Sequence, residues 1–191
     1  PYTIGDYLAD EIRTGPISTE SKEFDIAEEN VKKRILKLLA INGDKPVDYF
    51  HKRLGKIMWE YVGMSRNKEG LEFAINEIKK IRNEFWTEVR IPGKQDEMNS
   101  ELEKAGRVAD FLELGELFAK DALERTESAG GHFREESQTP EGEALRNDKD
   151  FAFTSAWEHV GEPSDAILHK EELEFNAVSY THLTLPTIMP V

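Results

Sequence analysis

The stretch from Asn99 to Glu124 constrains the fold more than any other part of the chain. Its apolar residues form two stripes at steps of three and four. One is Leu102, Ala105, Ala109, Leu112, Ala119 and Leu123; the other is Val108, Phe111, Gly115, Phe118 and Ala122. That spacing is the period of an α-helix. A helix apolar on two sides needs neighbours on two sides, so it is expected at the centre of a bundle. It runs directly into Glu127-Ser128-Ala129-Gly130-Gly131-His132-Phe133-Arg134-Glu135-Glu136, where the period stops and glycine and charge take over.

Three further helices are predicted before it. Ala27, Val31, Ile35 and Leu38 or Leu39 give a period over residues 21–40, which Asn42-Gly43-Asp44 ends, with Gly43 free to take positive φ. Pro46 suits the first turn of the next helix, whose stripe is Val47, Phe50, Leu54, Ile57, Met58 and Tyr61. The third runs from about Asn67 to Glu88 with Leu71, Ala74, Ile75, Ile78, Ile81 and Phe85 on one face, and Pro92-Gly93 stops the chain beyond it. Residues 1–20 have no sustained period; a short helical turn is expected at Tyr7–Glu11, with Tyr2, Ile4, Tyr7, Leu8 and Ile12 as contacts to something outside the segment.

After Arg125 the pattern changes. Residues 126–150 read as a loop, residues 151–160 as a strand with Phe151, Phe153 and Trp157 on one parity, and residues 166–178 as its hairpin partner. A lone hairpin is marginal, so it is expected to rest on the bundle. The fold class is therefore mainly α, an antiparallel helical bundle followed by a small C-terminal β-hairpin region, α+β overall. The expected organisation is a lead-in segment over 1–20, a helical bundle over 21–126, a loop and hairpin over 127–178, and a tail over 179–191. That tail has no charged side chain after Glu174 and no period, and is expected to be non-native.

Composition narrows function. The net charge is −13, from 38 acidic and 25 basic residues. Such a surface lacks the basic face that phosphate neutralisation needs, so nucleic acid is excluded as a partner. The absence of cysteine removes disulfides, iron–sulfur ligation and thiol catalysis. No apolar run approaches the roughly 20 residues of a spanning helix, so direct membrane insertion is not expected. The start, Pro1-Tyr2-Thr3-Ile4-Gly5-Asp6, lacks the basic start and apolar core of a signal peptide, and its missing initiator Met is consistent with a fragment or with removal by processing.

Two blocks carry a resemblance. Glu127 to Glu136 resembles the turn Glu-Ser-Arg-Gly-x-His-x-Arg-x-Asp of the flavoprotein subunit of succinate dehydrogenase and fumarate reductase, and of its relative aspartate oxidase. Here Ala129 stands for the usual Arg and Glu136 for Asp. The run from Phe50 to Asn67, with Met58-Trp59, Gly63, Arg66-Asn67 and then Gly70-Leu71, resembles that family's helical domain, and Leu112-Glu113-Leu114 suits its central helix. The blocks keep family order over residues 1 to about 178 and are closest to the Bacteroides-like bacterial type; aspartate oxidase fits less well after residue 137.

The resemblance implies a C-terminal fragment of an FAD-dependent oxidoreductase that interconverts succinate and fumarate in electron transport. It implies that FAD binds upstream, that the fragment alone is inactive, and that no catalytic, cofactor-binding or metal residue lies here. The implied partners are the missing flavin-binding domain, an iron–sulfur subunit and a membrane anchor subunit, at the inner face of the cell membrane. The alternatives are a fragment of an aspartate oxidase-like flavoprotein and an independent acidic helical module that binds a protein partner.

Among chemical candidates, Gly130-Gly131 follows a helix rather than a strand, so it is not a dinucleotide loop. His132, Arg134 and Glu136 are candidate domain-junction residues: either they line the substrate edge, or they satisfy backbone carbonyls and acidic partners. In this chain alone the turn is expected to be exposed, and buried only against a flavin domain. His51 is expected to be exposed. His159 and His169 could be neighbours across the hairpin, but two histidines without a third ligand make a poor zinc site. Trp59 and Trp86 read as core or interface residues.

Overall fold

Long apolar periods separated by Gly, Pro and Asn give a chain of helices joined by short connections. The structure, a computed structural model, describes residues 2–14, 18–94, 96–161 and 166–173. Its elements in chain order are α1 (Tyr2–Thr14), α2 (Lys22–Ala40), β1 (Lys45–Pro46), α3 (Val47–Tyr61), α4 (Lys68–Glu88), β2 (Val89–Arg90), α5 (Ser100–Glu124), α6 (Asp148–Phe151), β3 (Phe153–Glu158) and β4 (Ile167–Glu172). The mainly helical class with one antiparallel hairpin is what periodicity predicts.

Helix α4 follows its sequence most closely. Leu71, Ala74, Ile75, Ile78, Ile81 and Phe85 are all buried. Asn67 starts it, its Oδ1 accepting the Gly70 N–H at 2.8 Å. Asn99 caps α5 in the same way, accepting the Leu102 N–H at 3.0 Å. Such side-chain caps satisfy amide groups that have no partner within the helix.

The chain divides into two compact units. One comprises residues 1–57 and 76–115, the other residues 58–75 and 116–191. In the first, Phe50 and Phe85 meet edge to face with centroids 5.3 Å apart, linking α3 to α4 through rings that are fully buried. Lys37 of α2 lies 4.3 Å over the Trp86 ring, Arg34 of α2 pairs with Asp110 of α5, and His51 of α3 lies against Phe111 of α5. Four helices thus contribute to one apolar core, with Leu38, Val47, Ile78, Ile81, Val108 and Leu112 inside it. Glu84 pairs with Lys45 and Arg53, and those two bonds hold its carboxyl below the usual range.

Several expectations need correction. α1 runs over 13 residues rather than a short turn, because its period holds through Gly5; Ile4, Tyr7 and Leu8 are exposed on it. In α2 only Leu38 of the expected stripe is buried; Ala27 and Val31 are exposed. Gly43 has no positive φ. Its requirement is space: a Cβ there would stand 2.0 Å from the Glu88 carbonyl oxygen, where Gly43 donates to the Val89 carbonyl beside the parallel β1–β2 pair. Pro46 ends β1 instead of entering the helix. In α5 one stripe is buried, from Ala105 through Val108, Ala109 and Leu112 to Ala119 and Ala122. Phe111 (43% exposed) and Phe118 face out, so the helix is covered on one side.

The second unit holds the end of α3, the start of α4, the end of α5 and everything beyond. The sequence reads 126–150 as plain loop; it contains bridges at Ala129–His132 and Gln138–Ala144 and leads into α6, capped by Asn147. The strands are shorter than expected, and residues 174–178 of the second lie outside the described ones. Pairing runs from Phe153–Glu172 to Glu158–Ile167. The parity is as expected: Phe153, Ser155 and Trp157 are partly covered while Thr154, Ala156 and Glu158 are exposed. The hairpin rests on α5 through the Trp157 indole N–H, donating to Asp121 at 2.8 Å, and through Lys170 with Glu124 at 2.8 Å.

Candidate functional site

A helix ends with carbonyls that have no amide partner and begins with amides that have no carbonyl partner. Residues 127–136 serve one end of each kind. Arg134, 3% exposed, donates from Nη1 to the carbonyls of Ala122 (2.8 Å), Leu123 (3.2 Å) and Arg125 (3.5 Å). A guanidinium there satisfies the last carbonyls of α5 and opposes the negative end of its dipole. Two residues on, the Glu136 carboxylate accepts the Lys68 N–H at 2.5 Å, at the positive end of α4. Arg134 Nε also donates to Glu136 at 3.1 Å.

The backbone is held as firmly. Arg66 and Arg134 form a parallel bridge: the Arg66 N–H donates to Phe133 O at 3.2 Å and the Glu135 N–H to Arg66 O at 2.8 Å. Ser128, fully buried, accepts the Arg134 N–H at 2.8 Å through Oγ and donates back to the Arg134 carbonyl. Glu135 accepts from Ser65 Oγ and Asn67 Nδ2, each at 2.8 Å, and these bonds hold its carboxyl below the usual range. Burial pushes Glu136 up, but the Lys68 amide and Arg134 outweigh it, so its net shift is also downward. Gly130 turns the chain at φ +58°, a backbone that glycine adopts freely.

His132 is tied on both ring nitrogens. Nε2 lies 2.8 Å from Arg125 O and Nδ1 lies 2.6 Å from Arg66 Nη1. A carbonyl can only accept and a guanidinium can only donate, so these partners assign the neutral tautomer with the proton on Nε2. Burial, followed by the charges of Arg66, Arg134 and Arg125, lowers the imidazole pKa despite the opposing carbonyl bond. Arg66 is 9% exposed, bonds through Nε to the carbonyls of Val62 and Gly63, and stacks 5.4 Å from the Phe118 ring centroid. Burial and then Arg134 push its pKa down. Beside it is a cleft of about 410 Å³, lined by Arg66, Phe118, Asp121, Arg125, Ala129 and His132, among others.

The turn is exposed only in part in this chain: Gly130, Gly131, Glu135 and Glu136 are open as expected, while Glu127, Ser128 and Arg134 are buried, contrary to expectation. The Arg134 side chain and Ser128 are buried by α5 and its own loop, and His132 is partly covered. The structure brings His132, Arg134 and Glu136 into one network, and adds Arg66, Arg125 and Ser128. Arg125 bonds to Glu127 and to the carbonyls of Phe151 and Phe153; nothing in its place just past the end of α5 announces that reach. Arg66-Asn67 is visible in sequence as a conspicuous dipeptide after Gly63, but its partner 66 residues away is not. His169 pairs with Glu158 at 2.7 Å and sits opposite Ala156 rather than His159. Trp59 is 85% exposed and so not a core residue; Trp86 is partly covered by Lys37. Among the described residues no group of three potential metal ligands occurs.

Charged side chains brace the helix ends at this site, and Ser128 Oγ bonds to the Arg134 backbone. This chain belongs to the family described as the fumarate reductase flavoprotein C-terminal domain, whose profile matches residues 51–187. An uncharacterized FAD-dependent oxidoreductase of Methanocaldococcus jannaschii is 33% identical over 141 residues, 69% of this chain and 25% of that protein. The fumarate reductase flavoprotein subunit of Helicobacter pylori is 29% identical over 131 residues, 69% of this chain and 18% of that protein. The chain thus spans a quarter or less of the curated relatives it matches. Quinol fumarate reductase of E. coli shares the fold at a TM-score of 0.71 and 21% identity, over 86% of this chain and 27% of that one. Mycobacterium smegmatis Sdh1 does so at 0.68 and 22%, over 87% and 27%.

Proposed function

We propose that this chain is the C-terminal helical and hairpin portion of an FAD-dependent enzyme that interconverts succinate and fumarate. The family match over residues 51–187 carries this reading. Residues 1–20 lead in from a flavin-binding region, 21–126 belong to the bundle, 127–178 to the loop and hairpin, and 179–191 are a tail whose first nine residues still fall within the stretch the family profile matches. When bound in that upstream region, the flavin supplies the acceptor and donor of hydride. The residues here do not fit the flavin itself: among those described, no strand leads through a glycine-rich turn into a helix, since β1 passes directly into α3 at Val47. No reaction step is therefore assigned to this chain.

Its part is to fix the shape of the domain that the flavin region meets. Arg134 positions the turn from inside; His132 and Glu136, partly open, are the junction residues. The complete enzyme works with an iron–sulfur subunit and a membrane anchor subunit, peripheral to the inner face of the cell membrane. No helix among the described residues is long and apolar enough to cross a membrane. The test is to express the complete reading frame that contains this chain. The expected result is FAD retained through gel filtration and fumarate-dependent oxidation of a reduced viologen dye, with neither from the 191-residue chain alone. A complete polypeptide without flavin or turnover would overturn the reading.

A further inference from the structure

Buried charge needs a counter-charge, and among the described residues Arg66 has none. The residue is 9% exposed, yet among the described residues its guanidinium meets only two carbonyls, a neutral imidazole and an aromatic ring. The charge of Arg134 acts on it repulsively. The other cations of the cluster are matched: Arg134 has Glu136 and Arg125 has Glu127. Asp121 lines the same cleft, but it is held by the Trp157 indole and forms no ion pair with Arg66. Ala129 contributes only a methyl group, so the space beside Arg66 stays open.

We propose that this cleft is a carboxylate-binding site, filled by an aspartate or glutamate side chain from the flavin-binding region of the same polypeptide. The occupant rests on the reading of the chain as part of a flavoprotein. A side chain fits better than a free ion for two reasons. Phe118, 55% exposed, stands at the cleft beside Arg66, and an aromatic next to an arginine is the composition of protein-binding hot spots. A free carboxylate pays the full entropic cost of association for few contacts, whereas a tethered one acts at high effective concentration.

Acetate is the probe. At constant ionic strength it should shift the His132 ring and Arg66 Nε–H resonances of the 191-residue chain saturably, with a midpoint of about 1 mM or weaker. Arg66→Gln should lose that response. Because Arg66→Gln could unfold the turn, Ala129→Glu provides the independent arm. Ala129 has no positive φ, so the carboxylate can be supplied from within. The variant should raise the thermal midpoint and abolish the acetate response, although it adds negative charge to a chain already at −13. No saturable shift in the unmodified chain, or an Ala129→Glu variant that melts lower and still responds, overturns the site. In the complete FAD-loaded polypeptide the cleft should no longer respond to acetate. A response retained there overturns the side-chain occupant. A complete polypeptide without FAD overturns the flavoprotein reading and the occupant with it, while the acetate and Ala129→Glu results continue to decide the carboxylate chemistry.

Discussion

The core of the first unit and the clasp at residues 127–136 hold structure by opposite means. Around Phe50, Phe85 and Leu112 the contacts are apolar, fully buried and without direction. Around Arg134 they are few, polar and directional, each bond aimed at one carbonyl or amide. The first kind tolerates exchange among side chains of similar volume. The second does not, because an unpaired buried polar group costs more than a made bond contributes. A core of the first kind sets how much stability there is; a clasp of the second sets which helix ends meet it.

The largest expected effect belongs to the core. Phe85→Ala should cost about 3–5 kcal/mol and Leu112→Ala about 2–5 kcal/mol by chemical denaturation, whereas Phe111→Ala, half in water, should cost about 1 kcal/mol or less. Equal costs for Phe111 and Leu112 would break the assignment of one covered face to α5.

Next comes the clasp. Arg134→Ala leaves carbonyls at the end of α5 without a donor, an expected loss of about 2–3 kcal/mol. Arg134→Lys should recover less than half of it, since one ammonium cannot stand both where Nη1 meets the carbonyls and where Nε meets Glu136. Full recovery by lysine would show that charge alone matters there.

A smaller effect is expected from pH. His132 has a folded pKa below its unfolded value, so the unfolded chain binds the proton first. Its contribution is complete above the unfolded value of about 6.5 and is lost as pH falls below it. Glu135 and Glu136, also lowered, act with the same sign: their contribution is present above about 4.3 and is lost on further acidification. The thermal midpoint should therefore fall in two stages on acidification, and His132→Gln should remove the first. A His132→Gln curve parallel to the unmodified one would separate the imidazole from the clasp. The smallest effect is expected from deleting residues 179–191: no change in midpoint, checked by the same melts.

Much of the core was legible in the sequence because burial on a helix repeats. All six residues assigned to the face of α4 are buried, and Asn67 and Asn99 start helices where a capping residue should. The period misled where an apolar residue stays largely exposed, as at Val31, Phe111 and Phe118. The clasp was legible only as a cluster of charge and glycine. That Arg134 caps α5 while Glu136 caps α4 depends on which helix ends the fold brings to the turn. Arg66 stood out only within the Arg66-Asn67 dipeptide and Arg125 not at all, because apart from Glu127 their partners are distant along the chain or are backbone atoms. The strand parity of Phe153 and Trp157 could be read; the bond from Trp157 to Asp121 could not.

The pairing of Arg134 with Glu136 has a polarity. In most ion pairs the two residues can trade places, since attraction is symmetric. Here each member also faces a helix end of fixed sign, cation to carbonyls and anion to amide. Exchanging them, as Arg134→Glu with Glu136→Arg, would keep the pair and the net charge while setting both residues against the dipoles they now neutralise. The turn thus works as a keyed connector that goes in one way round, and the order of two residues in the chain decides the fit.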